Sequence, residues 1–173
     1  KRPLPSSPHW VPTITVPVFI DGYSQPGSSA NSLASGWDAV ILVELDGSGA
    51  GAGIPGLVFV ASGARVSGLA VYGFDETGIR LGWIVPGNAD NNTVDGNILG
   101  LRADGSTLAG NTNYGVAISA LGSATGNTIG GAAASARNII SGNGSGGLVI
   151  NSHHSNTVRG NHIGSNAAGN APR

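Results

Sequence analysis

Short runs in which apolar and polar side chains alternate recur along the whole chain, separated by breaks rich in glycine, asparagine and serine. A period of two is the pattern of a β-strand, whose successive side chains point to opposite faces. Residues 14–22, I-T-V-P-V-F-I-D-G, read as one such strand ending in an Asp-Gly turn, and Pro17 places it at an edge or an end. Residues 39–47, A-V-I-L-V-E-L-D-G, read as a second strand that ends in the same signature 25 residues later. Asp21 and Asp46 are therefore expected to be stacked neighbours. The polar stretch 23–37 between them is too long for a tight turn and is expected to protrude from the core. Residues 1–12, with four prolines, read as an extended N-terminal segment.

From Gly56 onward a glycine precedes an apolar-x-apolar triplet four times, at Leu57, Ile79, Val116 and Leu148. Alternating with these are N-T-apolar strands that begin at Asn92, Asn127 and Asn156, and R-V-S-G-L from Arg65 takes the corresponding place. N-T-V-D-G-N-I-L-G at 92–100 returns as N-T-V-R-G-N-H-I-G at 156–164, with N-T-I-G-G and N-I-I-S-G-N between them. Like elements lie about 22 to 37 residues apart. Strand copies related by translation predict a solenoid whose coils stack at about 4.8 Å, rather than a hairpin sandwich. The fold expected is all-β: one domain over 1–173, a right-handed parallel β-helix of about four to six coils, its hand following the bias of parallel crossovers. Inward positions are Val66, Leu69, Ile79, Leu81, Val94, Ile98, Val116, Ile118, Ile129, Ile140, Leu148, Ile150, Val158 and Ile163. Asn92, Asn127 and Asn156 share one repeat position and read as a buried asparagine ladder.

Composition narrows the function classes. Glycine supplies 30 of 173 residues, and with 40% apolar residues it marks turns rather than disorder. A net charge of −1 without any Lys/Arg run leaves no footprint for nucleic acid. Cysteine is absent, which removes disulfides, thiolate metal sites and a cysteine nucleophile. No apolar run approaches a membrane span, and the start has no signal-peptide core. With no methionine, the chain reads as a processed form or a fragment.

The runs I-D-G-Y-S-Q-P-G, V-E-L-D-G, N-T-I-G-G, A-R-N-I-I-S-G-N and G-N-H-I-G resemble bacterial right-handed parallel β-helix repeat proteins of the pectate-lyase-like superfamily. The resemblance covers the chain after about Pro8. It implies an array within a larger exported or surface protein, hence an extracellular or cell-surface location, and it does not carry one activity.

Glycoside cleavage needs two carboxylates roughly 5 to 9.5 Å apart. The candidates are Asp75, Glu76, Asp95 and Asp104, with Asp90 and Glu44 behind them. The bland reading is that Asp75, Asp90 and Asp104 are turn formers. Unlike pectin-cleaving relatives, the chain has neither an Asp-Asp pair nor a Gly-His-Gly segment. His153 and His154, with His162 on the next strand, are candidates for proton transfer or a transition metal, against a reading as solvated loop residues. No G-x-S-x-G is present, and Ser145 sits in a repeat turn. Asp21 and Asp46 are weak candidates for Ca2+, since an Asp-Gly turn explains them without an ion. A threonine column at Thr93, Thr128 and Thr157 raises ice binding as a minor alternative, but the next column is Asp95, Gly130 and Arg159. Tyr23, Trp37, Trp83 and Tyr114 are candidate binding rings for sugar faces, or else covers for the core.

The function expected is carbohydrate or surface-partner recognition, with a polysaccharide hydrolase or lyase as the alternative. No cofactor is required. The chain appended after Ile163 aligns with the loop after Gly100, so it is expected to stop in mid-repeat and to form a homo-oligomer through its coil ends.

Overall fold

A computed structural model describes residues 13–151 and 153–173. The proposed extended segment 1–12 lies outside the described residues. Among the described residues fourteen short strands are joined by turns, with two single-turn 3-10 segments at Gly22–Ser24 and Ala134–Ala136. In chain order the strands are β1 Phe19–Asp21, β2 Val43–Asp46, β3 Leu57–Phe59, β4 Arg65–Ser67, β5 Leu69–Tyr72, β6 Ile79–Leu81 and β7 Thr93–Asp95. They continue with β8 Ile98–Leu99, β9 Tyr114–Ile118, β10 Thr128–Gly130, β11 Ile139–Ile140, β12 Gly146–Ile150, β13 Thr157–Arg159 and β14 His162–Ile163.

Every third strand joins the same sheet. Sheet one is β1-β4-β7-β10-β13, sheet two is β2-β5-β8-β11-β14, and sheet three is β3-β6-β9-β12. All the strand pairs are parallel, and Ile14 extends sheet three by a parallel bridge to Phe59. The chain thus visits sheets one, two and three in turn and moves up one layer per circuit, giving the expected parallel β-helix with five layers in sheets one and two.

Register keeps like residues in columns. Leu57, Ile79, Val116 and Leu148 stack in sheet three, and Phe59, Leu81, Ile118 and Ile150 stack beside them. In sheet one Ile20, Val66, Val94, Ile129 and Val158 form the inward column. The interior is a continuous apolar cluster from Phe59 and Val66 to Ile129 and Ile140. Val94, Ile118, Ile129 and Ile140 are fully buried, whereas Ile150, Val158 and Ile163, one layer on, are 36%, 38% and 49% exposed. Those three belong to the inward columns and are open because they form the last layer.

Ile98 departs from the expected interior. It stacks with Ala70 and Ile139 on the outward side of sheet two, in a second apolar layer with Ile41, Leu101 and Ala167. The physical reason is the strand period: its neighbour Leu99 takes the inward column with Val71 and Ile140. Hairpins at 100–111 and 164–173 supply part of this cover. They close on equivalent bridges, Leu101 with Leu108 and Ser165 with Pro172, and Ala167 N donates to Gly105 O at 3.0 Å. The sequence alignment of these two stretches is thereby matched in space.

Two further expectations are corrected. Asp21 and Asp46 are not stacked, because β1 and β2 lie in different sheets of one coil; Asp21 stacks with Ser67 and Asp46 with Tyr72. The shared Asp-Gly ending marks two successive corners, not one repeat position. The 23–37 loop lies outside the sheets as expected, yet it does not stand free. It runs along the corner between sheets one and two as a strap, closed by a Ser29–Val40 bridge and pinned to the fourth layer. There Asn31 Nδ2 donates to Ala134 O at 3.0 Å, and the Arg137 guanidinium donates to the carbonyls of Leu33, Ala34 and Gly36 at 3.1, 2.8 and 2.6 Å.

Candidate functional site

The outward face of sheet one carries two columns, Phe19-Arg65-Thr93-Thr128-Thr157 and Asp21-Ser67-Asp95, the second continuing to Gly130 and Arg159. Because coils stack closely, side chains two positions apart on adjacent strands meet diagonally. Arg65 uses this: its Nε and Nη2 donate to both oxygens of Asp95 at 3.0 and 2.6 Å. That bond to Asp95 is the main reason the guanidinium is held above its ordinary pKa. The same guanidinium lies 5.0 Å from the centre of the Phe19 ring.

The strap forms the opposite wall. Asp21 caps the 3-10 turn by accepting from Tyr23 N at 3.0 Å, and the Tyr23 hydroxyl donates to Gly96 O at 2.6 Å. The tyrosine ring therefore crosses the second and third coils, over Gly68, where an added Cβ would lie 2.9 Å from ring atoms and where φ is +74°. Only glycine meets both demands. Burial, then the negative charges of Asp95 and Asp21, push the Tyr23 hydroxyl well above its usual pKa. Between strap and sheet is a cleft of about 340 Å³ lined by Phe19, Asp21, Tyr23, Ala30, Arg65, Ser67 and Ser135. That volume is at the small end of ligand pockets.

The sequence-predicted residues are placed as follows. Of the four rings, Tyr23 reaches the cleft, while Trp37 packs with Tyr23 against the apolar layer over sheet two. Trp83 follows β6 and stacks on Arg80 at 4.3 Å, and Tyr114 opens β9 at the other margin of sheet three. The rings are distributed over the molecule and form no single platform.

The four acids stand in three places. Asp75 bridges Gly53 N and the Thr112 hydroxyl at 2.9 and 3.1 Å, at the corner between sheets two and three. Glu76, beside it, pairs with Arg80 at 2.6 Å and accepts from Asn113 at 3.2 Å. Asp95 is on sheet one, paired with Arg65. Asp104 closes the 100–111 hairpin by accepting from the Thr107 hydroxyl and from Thr107 N and Ser106 N, the last two both at 2.7 Å, and these bonds, the hydroxyl's first, lower its pKa to about 2. His153 Nε2 accepts from Ala120 N at 3.0 Å, His154 is exposed, and His162 lies against Ala167 O at 3.3 Å in another sheet. Asp46 accepts from Ser48 N at 2.9 Å, the Asp-Gly turn role, and is remote from Asp21. Among the described residues no cluster of three or more His, Asp or Glu side chains could hold a metal ion, and no helix is long and apolar enough to cross a membrane.

Sequence reasoning missed Phe19, Arg65, Ser67 and Ser135. The signal was available for the middle pair: laying R-V-S at 65–67 over T-V-D at 93–95 sets Arg65 diagonal to Asp95. Comparison with known proteins found no match to any family model, curated protein or solved structure.

Proposed function

We propose that this chain is a non-catalytic extracellular or cell-surface β-helix module that recognises carbohydrate through the cleft on sheet one. The observation that carries the reading is the convergence there of a 56% exposed phenylalanine ring, a carboxylate and a guanidinium under the strap. Ring faces and a few placed polar groups are what sugar recognition uses. Asp75 and Glu76 share one corner while Asp95 and Asp104 lie elsewhere, and each of the four is engaged in turn bonds or an ion pair, an arrangement suited to structure more than to paired acid catalysis. A glycan array run beside reducing-sugar and unsaturated-product assays on the same panel tests this. Binding without turnover is expected; turnover abolished by both Asp75→Asn and Asp95→Asn would replace this reading with the polysaccharide-cleaving one.

The open last layer supports a second proposal, a homo-oligomer through the coil ends. Ile150, Val158 and Ile163 continue columns that are otherwise buried, and the edges of β12, β13 and β14 continue the parallel ladders. Another copy of this chain presents a matching strand edge. Light scattering of the wild type is expected to show association that Val158→Lys or Ile163→Lys shifts toward monomer; a strict monomer at high micromolar concentration rejects it.

A further inference from the structure

If the sheet-one cleft is a sugar site, its charges decide which sugars enter. Arg65 is the one cation in the lining, and one of its two forked edges is already spent: Nε and Nη2 face Asp95 in a bidentate pair. That edge is closed to any ligand, and the charge of the guanidinium is already balanced by Asp95. What remains of Arg65 is its end-on edge, the two Nη1 N–H groups and the outer Nη2 N–H. Asp21 contributes the opposite polarity, because Tyr23 N occupies Oδ1 and, among the described residues, nothing donates to Oδ2. Ser67 adds a hydroxyl with no hydrogen-bond partner among the described residues, and Ala30 and the Phe19 ring supply apolar walls. Counting Asp21 and Asp95 against Arg65, the site carries two carboxylates and one guanidinium.

A uronate entering here meets an excess of negative charge, because Asp95 already balances Arg65 and Asp21 is left over. A neutral sugar instead offers vicinal hydroxyls that donate to the open Asp21 oxygen and accept from Arg65 Nη1, while a ring face lies on Phe19. Such charge-assisted bonds to a carboxylate are the strong ones for hydroxyl groups. We infer that the cleft selects neutral sugar residues presenting vicinal hydroxyls and rejects their uronate counterparts, with Asp21 as the residue that sets this preference. The inference rests on the carbohydrate reading above.

The test is calorimetric titration of the whole chain with neutral oligosaccharides and with uronates of the same ring stereochemistry and length, for example galacto-oligosaccharides against oligogalacturonates and gluco-oligosaccharides against oligoglucuronates. For any series that binds, the neutral member is expected to bind at least about tenfold more tightly than its uronate. Asp21→Asn keeps the acceptor for Tyr23 N, so the fold is retained; it should weaken the neutral ligand about tenfold and narrow the gap to the uronate. Tighter binding of uronates, or a neutral affinity unmoved by Asp21→Asn, overturns the inference and leaves carbohydrate recognition standing. No binding by any member of either class removes the carbohydrate reading and the inference together.

Discussion

The coils from Asn92 onward and the coils before them follow one backbone path with different chemistry at the corners. In the later coils an asparagine sits at each of the three corners. Asn92, Asn127 and Asn156 form one column, Asn97, Asn138 and Asn161 a second, and Asn111 with Asn143 a third. Each Oδ1 accepts the backbone N–H of the rung in the preceding coil, as from Asn92 to Asn127 at 2.8 Å and from Asn97 to Asn138 at 2.9 Å. In the earlier coils the ladders end on Ala64, Leu69 and Phe74, whose N–H groups donate to Asn92, Asn97 and Asn111 at 2.7, 3.0 and 3.1 Å. Beyond those residues the corners are closed by packing: Gly47 and Gly56 lie against the Phe74 ring, and Gly22 against Gly68 O. A buried corner must satisfy its backbone donors, and the chain does so with amides in one half and with glycine, apolar contact and the strap in the other.

Phe74 is where the two solutions meet, so its loss should have the largest effect. The ring is 7% exposed and belongs to the interior cluster. Phe74→Ala should cost about 3–4 kcal/mol and, by hydrogen exchange, loosen the earlier coils first. Asn138→Ala is the matching cut in the laddered half. It removes the acceptor of Asn97 N and the donor to Val94 O at 2.8 Å inside a fully buried corner. A loss of about 3 kcal/mol is expected, roughly 6–12 °C in Tm, with protection lost first around β8, β11 and β14. Asn92→Ala sharpens the contrast, because the Asn92 Nδ2 is buried without a partner and the residue's Oδ1 serves only Ala64 N. It should cost about 1 kcal/mol. Equal losses at Asn92 and Asn138 would mean that rungs act by shape rather than by hydrogen bonds.

This division explains what could be read from the sequence. N-T-V-D-G-N and N-T-V-R-G-N stand out because a ladder demands the same letter in every coil, and both the fold and the sheet-one register over Thr93, Thr128 and Thr157 followed from them. Only the first ladder was recognised; Asn97 and Asn161 were visible as the second Asn of the motif, five residues after Asn92 and Asn156, and Asn138 as the first Asn of N-I-I-S-G-N, but their strands are only two residues long. In the earlier coils no asparagine recurs at the corners, since packing accepts many residues, and the Asp-Gly ending that does recur marks two different corners. Val43–Asp46 was accordingly placed with Phe19–Asp21 when it belongs to the next sheet. The cleft was least legible because it joins residues from three coils and a strap whose path depends on contacts made by Arg137, some 100 positions away.

The strap ties the two halves together, and its release gives the next smaller effect. Arg137→Ala removes three charge-assisted hydrogen bonds to strap carbonyls at a partly exposed site. Proteolytic cleavage within 23–37 should become about tenfold faster while Tm falls by only a few degrees. Arg137→Lys should not restore protection, because a point donor cannot span three carbonyls. Unchanged cleavage would show that the Trp37 packing alone holds the strap.

Acid provides the finest separation between amide-held and carboxylate-held corners. Asn rungs carry no titrating proton, whereas several turns outside them rely on aspartates. Hydrogen bonds from Ser32 lower the Asp38 pKa in the strap, and those from Ser48 lower that of Asp46 after β2. In the 100–111 hairpin, Thr107 and Ser106 lower Asp104 to about 2. A carboxylate whose folded pKa lies below its unfolded value of about 3.9 adds stability above that value, and the contribution fades as pH falls through the folded pKa. For Asp104 the window is therefore roughly pH 4 down to 2, and solvent screening keeps its share below about 1 kcal/mol. Lowering pH through this window should raise the exchange rates of Ser32, Ser48 and Thr107 amides, after correction for intrinsic exchange, before those of Ala64, Leu69, Asn97 and Asn127. The last four donate to amide oxygens that stay the same at every pH in the range. Asp104→Asn should flatten the Thr107 response alone. Rung amides that opened first in acid would mean that the ladders depend on the strap and the hairpin, and that the two halves are not separately held.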